Sequence, residues 1–230
     1  MKIEEIKKLN VKYNNRIVGY LAELKNGSIA FQYDNEWIKR GFSISPISLP
    51  LSDKIYINDK LTFGGLYGVF WDSLPDGWGE LLVRRMLNKF GINFDRLSPL
   101  QRLYIINKNG LGALEYEPNK SLETVNTHYN LDRIAEEAEK ILNDEVEGVD
   151  LDMVFNLGGS SGGARPKAHI ICFDGEWIVK FPCAIDPEAI GKKEFVANKL
   201  AKDCGINVNE FRLFDSKIGS GFFGSKRFDS

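Results

Sequence analysis

Residues 158–181 read GGSSGGARPKAHIICFDGEWIVKF, a glycine- and serine-rich loop followed by two apolar runs. The runs over 168–173 and 177–181 are separated by Asp174-Gly175, a dipeptide that favours a tight turn between antiparallel strands. The pattern therefore predicts a glycine-rich loop that leads directly into a β-hairpin.

The loop from Gly158 to Lys167 has features of a phosphate-binding loop. Glycines let backbone N–H groups come close to a phosphate, and Lys167 can add positive charge. Ala164-Arg165 stand where a Walker A loop requires Lys-Ser/Thr, and the G-x-G-x-x-G of ordinary protein kinases is absent from the loop. Taken alone, the loop is also compatible with a flexible linker or a tight turn.

Lys180 and Glu194 are candidates for an ion pair beside this loop. If the strand face that carries Lys180 is covered, its ammonium group needs an anionic partner. Glu194 lies on the following predicted helix, on the stripe formed by Ile190, Ala197 and Ala201. Alternatively, Lys180 faces solvent from an edge strand, and the helix is rotated so that Glu194 is solvated. Loop, strand lysine and helix glutamate follow the order and spacing of the phosphate-clamping pair of protein kinases.

The remaining sequence indicates an α+β fold in two parts. Residues 9–57 contain β-rich runs separated by Asn14-Asn15 and Asn26-Gly27, which favour turns. Apolar periodicity with glycine and proline signals predicts helices over 78–90, 100–107, 131–142 and 187–204, and strands over 208–214 and 221–228. The polar segment 117–130 marks a boundary. We therefore expect a β-rich N-terminal subdomain (1–117) packed on a protein-kinase-like N-lobe (118–230) with an antiparallel sheet and a helix.

The composition is that of an ordinary globular protein. The chain is 43% hydrophobic and 27% charged, and its formal net charge of −2 does not suggest a nucleic-acid binder. Three cysteines without a C-x-x-C pair predict reduced thiols, and the N-terminal MKIEEIKKLN lacks the apolar run of a signal peptide. We expect a cytoplasmic protein that binds no membrane. His128 and His169 are too isolated for a zinc site, so no metal site is predicted.

Several motifs resemble those of HipA-type kinases, a family of bacterial toxins. The loop signature is Gly162-Gly163-Ala164-Arg165-Pro166-Lys167-Ala168. It is followed by further similar segments, which are Trp177-Ile178-Val179-Lys180-Phe181-Pro182, Lys193-Glu194-Phe195 and Lys226-Arg227-Phe228-Asp229. In the first part, the similar segments are residues 18–21, 31–33, 48–51, 74–77 and 110–114. The resemblance covers practically the whole chain in one unbroken order.

This resemblance implies a serine/threonine protein kinase that uses Mg-ATP. The ATP-binding residues would be Gly162, Gly163, Ala164, Lys167, Lys180, Glu194, Lys226, Arg227 and Phe228. Lys180 would contact the ATP phosphates, Glu194 would orient Lys180, and residues 226–228 would form the hinge strand whose backbone binds adenine. Ser160, or its neighbour Ser161, would be autophosphorylated, and the added charge would remove the loop from the phosphates.

The resemblance also implies partners for the kinase. Members of the family act on proteins, several on aminoacyl-tRNA synthetases, and are held by a HipB-like DNA-binding antitoxin. We expect no direct contact of this chain with nucleic acid.

The catalytic half of a kinase is not recognisable in this sequence. Protein kinases need a catalytic-loop Asp to take the hydroxyl proton, and an Asn and a second Asp to hold Mg²⁺. No H-R-D-like or D-F-G-like segment occurs, and the sequence given ends directly after the expected hinge strand. We therefore expect a chain without the catalytic C-lobe that is inactive alone. It would be either a truncated kinase or a stand-alone binding or regulatory module that pairs with a separately encoded lobe.

Overall fold

The computed structural model describes residues 4–58, 62–105, 112–118, 130–145, 148–158 and 163–228. Two units can be distinguished by their internal contacts. The first unit comprises Met1–Pro75 and Leu87–Glu123, and the second comprises Asp76–Met86 and Thr124–Ser230. The second unit therefore includes a short piece of the N-terminal half of the chain.

An antiparallel five-stranded sheet forms the framework of the first unit. Its strands are β1 (Lys8–Tyr13), β2 (Arg16–Glu23), β3 (Ile29–Tyr33), β4 (Ile55–Asn58) and β5 (Glu115–Glu117), in the order β4-β3-β2-β1-β5. Asn14 and Asn15 connect β1 to β2 with φ values of 47° and 61°. Positive φ at both central residues is what a tight hairpin turn requires, so the turn predicted at this dipeptide is confirmed.

Short helices complete the first unit. They are α1 (Asn35–Arg40), α2 (Gly68–Trp71), α4 (Pro99–Ile105) and the 3₁₀ segments Thr62–Gly65 and Phe94–Arg96, whereas α3 (Gly77–Asn88) lies mostly in the second unit. Helix α1 was not predicted from the sequence. Its first turn is capped by the carboxylate of Asp34, and it buries Trp37. The most deeply buried side chains of the unit are Leu9, Val11, Val18, Leu21, Ile29, Phe31, Leu49, Leu66, Phe70, Leu100 and Leu103.

The second unit combines an antiparallel four-stranded sheet with helices. In chain order its elements are α5 (Leu131–Leu142), α6 (Leu151–Gly158), β6 (Lys167–Cys172), β7 (Gly175–Lys180), α7 (Ile190–Asp203), β8 (Phe211–Phe214) and β9 (Phe222–Lys226). The order of strands in the sheet is β6-β7-β9-β8. The predicted hairpin around Asp174-Gly175 and the helix over 131–142 are both confirmed, and the α+β class is correct for the chain.

The two faces of this sheet differ in what covers them. One face packs on α5 and α6 in a buried cluster formed by Ile134, Ala135, Leu157, Ala168, Ile170, Trp177, Val179, Phe181 and Phe222. The opposite face carries Lys180 and Phe223 and is covered by α7, because Glu194 of α7 contacts Lys180. Phe195 of α7 also meets Phe211 of β8, with 5.4 Å between ring centroids. The sheet thus separates an apolar core from a face that carries charged groups.

Two boundaries near the candidate site differ from those predicted. Leu157 and Gly158 end helix α6, which was not predicted because the glycine cluster that begins at Gly158 was interpreted as the start of a loop. Helix α7 begins at Ile190 and not at Pro187, because Ala189 adopts a left-handed φ of 59° directly before it. The stripe expected to bury Glu194 is also different. Ala197 is exposed, and Gly191 is the residue of α7 that is fully covered.

Candidate functional site

Lys180 ends strand β7 on the face opposite the apolar core. Its neighbours Trp177 and Val179 point into the core, so the period-2 alternation of a strand turns Lys180 toward α7. Its Nζ forms an ion pair with the carboxylate of Glu194 and lies 5.4 Å from the ring centroid of Phe223. The side chains of Lys180 and Glu194 are 39% and 26% exposed, so the pair is partly shielded but reachable by a ligand.

The position of Glu194 depends on a close approach between α7 and β9. A Cβ atom added at Gly191 would lie 2.3 Å from the carbonyl oxygen of Gly221 and 3.1 Å from the backbone nitrogen of Phe223. Such contacts leave no space for a side chain at Gly191, so the helix lies directly on the strand. Since Glu194 is one helical turn farther along, its carboxylate is brought to the end of β7.

Lys167 faces Lys180 across the hairpin. The two residues are direct partners in the antiparallel pair of β6 and β7, so their side chains emerge on the same face. Partial burial and the positive charge of Lys180 lower the pKa of Lys167, and the carboxylate of Asp76 opposes that effect. Two ammonium groups in this position repel each other, and an anion bound between them would relieve the repulsion.

The end of the glycine-rich loop lies beside these lysines. Gly163 has a φ of 82°, and a Cβ atom at this position would be 3.0 Å from Nζ of Lys167. Its N–H donates to the carboxylate of Asp76, and its carbonyl accepts the N–H of Trp78 at 2.9 Å. Ser160, Ser161 and Gly162, which the resemblance assigned to this site, lie outside the described residues. The structure therefore brings Gly163, Lys167, Lys180 and Glu194 together.

Arg165 and Asp186 form a second anchor of the loop that the sequence analysis missed. A guanidinium nitrogen of Arg165 lies 2.6 Å from the carboxylate of Asp186, whose side chain is only 2% exposed. The same carboxylate accepts the N–H of Cys183 at 3.0 Å and its thiol at 3.2 Å. Burial, followed by the contact with Asp186, raises the pKa of the Cys183 thiol. The sequence carries no local signal for this contact, apart from an Asp near the end of a turn.

Of the expected hinge residues, Lys226 ends strand β9, and Arg227 and Phe228 follow the strand. The backbone N–H of Lys226 donates to the carbonyl of Glu210 at 2.8 Å, and that of Arg227 donates to the carbonyl of Glu176 at 2.9 Å. Both N–H groups therefore form hydrogen bonds within the protein. Phe228 follows and is 84% exposed. Lys226 is paired with Trp177, which is three residues before Lys180 on β7, so the hinge and the lysine are separated by roughly 10 Å at about 3.3 Å per residue.

The described residues of the site carry groups suited to binding an anion. Two lysines beside a glycine backbone give charge and close approach for phosphate groups. Within the described ranges, no group of three or more histidine, cysteine or acidic side chains could hold a metal ion. The described helices also include none that combines the length and apolarity needed to cross a membrane.

The chain is similar to known proteins in both sequence and fold. The protein-family model described as the HipA N-terminal domain matches residues 9–117, and the one described as the HipA-like C-terminal domain matches residues 159–230. No match was found among the curated proteins.

Among solved structures, the chain is similar to one from the Shewanella oneidensis MR-1 toxin–antitoxin complex of HipA, HipB and operator DNA. The identity is 19% and the TM-score 0.54, over 96% of this chain and 50% of the other. This chain thus spans about half the length of that relative, and the likeness concerns the fold. Together, the two domain matches, which follow each other in chain order on either side of the polar segment, show that the chain belongs to the HipA family.

Proposed function

We propose that this chain forms the ATP-binding part of a HipA-like toxin kinase that phosphorylates serine or threonine in a protein. The observation that carries the proposal is the Lys180–Glu194 ion pair, which joins the end of a strand to the following helix. This is the arrangement with which protein kinases hold the phosphates of ATP. Lys167 and the backbone of Gly163 lie on the same side and supply further charge and close approach.

Each residue has a distinct part in this proposal. The backbone at Gly163 and Ala164, together with Gly162, would approach the phosphates, and Lys167 and Lys180 would balance their negative charge. Glu194 would orient Lys180. Because the N–H groups of Lys226 and Arg227 bond within the sheet, adenine would be recognised by other backbone groups of 226–228, such as the N–H of Phe228. Bound ATP supplies the phosphoryl group. The described residues offer no cluster of ligands for Mg²⁺, so we assign none.

The regulation and partners follow from the family and stay proposals. We propose that Ser160, or Ser161, is the acceptor of an autophosphorylation, and that a HipB-like antitoxin binds the protein in the cytoplasm. The solved relative comes from a complex of HipA with HipB and operator DNA, which supports that partner. An aminoacyl-tRNA synthetase is the substrate class that the family suggests.

Binding of Mg-ATP to the chain tests the proposal. Isothermal titration of wild type, Lys180→Met and Lys199→Met compares a lysine of the site with an exposed lysine on α7. A hydrogen bond between charged groups contributes about 1.5–3 kcal/mol, so Lys180→Met should weaken the affinity roughly ten- to hundredfold. Lys199→Met should stay within about twofold. Equal affinities of wild type and Lys180→Met would exclude Lys180 from the site.

The same samples should be weighed by mass spectrometry after incubation with Mg-ATP. A phosphoryl group on Ser160 or Ser161 would show that the γ-phosphoryl group of ATP has been transferred to the serine oxygen. ADP and the hydroxyl proton are then released. Binding without added mass would limit the function of this chain to holding the nucleotide. An absence of both binding and added mass would contradict the proposed function.

A further inference from the structure

Both backbone groups of Gly163 are held by one three-residue segment at the start of α3. The carbonyl of Asp76 accepts the N–H of Gly79 at 3.0 Å, which places Asp76 at the beginning of the helix. Its carboxylate reaches across to the N–H of Gly163, 87 residues away in the sequence. In return, the carbonyl of Gly163 accepts the N–H of Trp78, one of the donors that the first turn of a helix leaves without an intrahelical partner.

The two segments are also in direct steric contact. A Cβ atom at Gly77 would lie 2.7 Å from the carbonyl carbon and oxygen of Gly163, and 2.8 Å from Cα of Ala164. Gly77 itself has a φ of 47°, a backbone conformation that residues other than glycine, Asn or Asp rarely adopt. Space and conformation thus both require glycine at this contact. We call Asp76, Gly77 and Trp78 the loop clamp.

We infer that Asp76 is a positioning residue of the nucleotide site, which fixes the end of the glycine-rich loop at Gly163 and thereby sets the affinity for ATP. The inference rests on the proposed function, because the loop end lies beside Lys167 and Lys180. A hydrogen bond from an amide to an ionised carboxylate is among the strong ones, so Asp76 restrains the peptide firmly.

A competing role for Asp76 would have the opposite consequence. If the Asp76 carboxylate merely competed with a phosphate for the N–H of Gly163, removal of the carboxylate would strengthen binding of ATP. The loop clamp, however, also holds the carbonyl of Gly163 through Trp78 and packs Gly77 against the loop backbone. An arrangement that holds the peptide groups on both sides of Gly163 restrains the orientation of the loop backbone, which favours positioning over competition.

The test uses Asp76→Ala and Asp76→Asn in the full chain, with two readouts. The first is the affinity for Mg-ATP by isothermal titration. The second is the hydrogen exchange of the Gly163 amide, followed by NMR without nucleotide. Asp76 is exposed, so both variants should fold. We expect Asp76→Ala to weaken ATP binding about five- to twentyfold and to speed Gly163 exchange about tenfold or more. Asp76→Asn keeps an acceptor oxygen and should restore both values to within about threefold of wild type.

Asp132→Ala is the matched control. Its carboxylate also fixes a loop of the second unit, because it accepts the hydroxyl of Ser216 at 2.7 Å and the N–H of Lys217 at 3.0 Å. Its loss should lower the melting temperature and leave ATP affinity and Gly163 exchange unchanged. A similar loss of ATP affinity in Asp132→Ala would overturn the inference, because general destabilisation would then explain the Asp76 result.

The outcomes separate this inference from the proposed function. If wild type binds ATP and Asp76→Ala binds it equally well or more tightly, the positioning role is wrong while the proposed function stands. If wild type does not bind ATP, the proposed function fails. The hydrogen exchange rate of the Gly163 amide then tests whether the loop clamp restrains Gly163. Faster exchange in Asp76→Ala would then support a clamp at Gly163, and unchanged exchange would overturn it.

Discussion

At the scale of single residues, carboxylates hold the loops of the second unit by accepting hydrogen bonds from backbone or side-chain groups. Asp76 holds Gly163, Asp186 holds Arg165 and Cys183, and Asp132 holds the segment after β8. Asp76 and Asp132 reach partners that are distant in sequence, 87 and 84 residues away, whereas Cys183 is only three residues from Asp186.

The contact made by Asp132 gives a prediction for pH dependence. Hydrogen bonds from Ser216 and then from the N–H of Lys217 lower the pKa of Asp132. The folded state therefore favours the ionised form. Its stabilising effect is complete above the ordinary carboxyl pKa of about 3.9 and is lost as the pH falls through the folded value. Asp132→Asn should thus lower the melting temperature at neutral pH, and the difference from wild type should close at pH values below about 4.

Thermal unfolding followed by circular dichroism at a series of pH values measures this difference. Glu136→Gln, on the exposed side of the same helix, serves as the control for a general change in charge. A difference between Asp132→Asn and wild type that stays constant down to acidic pH would show that ionisation of Asp132 does not stabilise the fold.

At the scale of elements, the docking of α7 on β9 is what brings Glu194 to Lys180. The helix has exposed apolar side chains, including Val196 and Leu200, and its close contact with the sheet is made at Gly191 and Phe195. The position of α7 therefore depends on the absence of a side chain at Gly191 and on the aromatic contact of Phe195.

Gly191→Ala should weaken this docking. Alanine has a higher helix propensity than glycine, which favours the variant by at most about 1 kcal/mol. The new Cβ would meet backbone atoms of Gly221 and Phe223, and overpacking of this kind costs about 1–3 kcal/mol. The steric effect should prevail, so we expect a net destabilisation of about 1–2 kcal/mol in urea unfolding, together with weaker ATP binding.

Ala197→Leu is the control for this prediction. It also adds volume to α7, but at an exposed position, and should change the free energy of unfolding by no more than about 0.5 kcal/mol. If Gly191→Ala proved as stable as wild type with unchanged ATP affinity, the contact between α7 and β9 would not control the site.

At the scale of the whole molecule, the second unit takes a piece of chain from the N-terminal half. Trp78 and Leu82 of α3 are buried and lie next to Gly158 at the end of α6. Arg85 donates to the carbonyl of Ile141 at 2.8 Å and also pairs with Asp144. A single boundary near residue 117, as expected from the sequence, does not describe this arrangement, because residues 76–86 belong to the second unit.

A fragment of residues 124–230 should therefore be unstable by itself. Loss of a buried Trp or Leu costs about 2–5 kcal/mol each, which is a large part of the roughly 5–15 kcal/mol that stabilises a typical domain. We expect the fragment to unfold without a cooperative transition. Addition of a peptide of residues 76–88 should restore cooperative unfolding, whereas the same peptide with Trp78→Ala should not. Cooperative unfolding of the fragment alone would contradict the assignment of α3 to this unit.

Several features of the fold and the site could be predicted because they depend on neighbouring residues. The hairpin around Asp174-Gly175 and helix α5 follow from turn chemistry and periodicity. The Lys180–Glu194 contact spans 14 residues and was suggested by the order of loop, strand lysine and helix glutamate, but the helix stripe predicted around Glu194 was wrong, because Ala197 is exposed. The order of loop, lysine and glutamate also indicated the family. Placement of Ser160 and Ser161 and of the nucleotide stays a prediction.

The contacts that hold the loop could not be predicted in this way. Asp76 and Gly163 are 87 residues apart, and nothing near Asp76 indicates which backbone N–H its carboxylate accepts. Likewise, Arg165 and Asp186 meet because the intervening hairpin returns the chain to the loop. Local propensities set which elements form, whereas a partner that is distant in sequence is set by the packing of those elements against one another. The tertiary structure was therefore needed to identify Asp76 as the residue that fixes the loop.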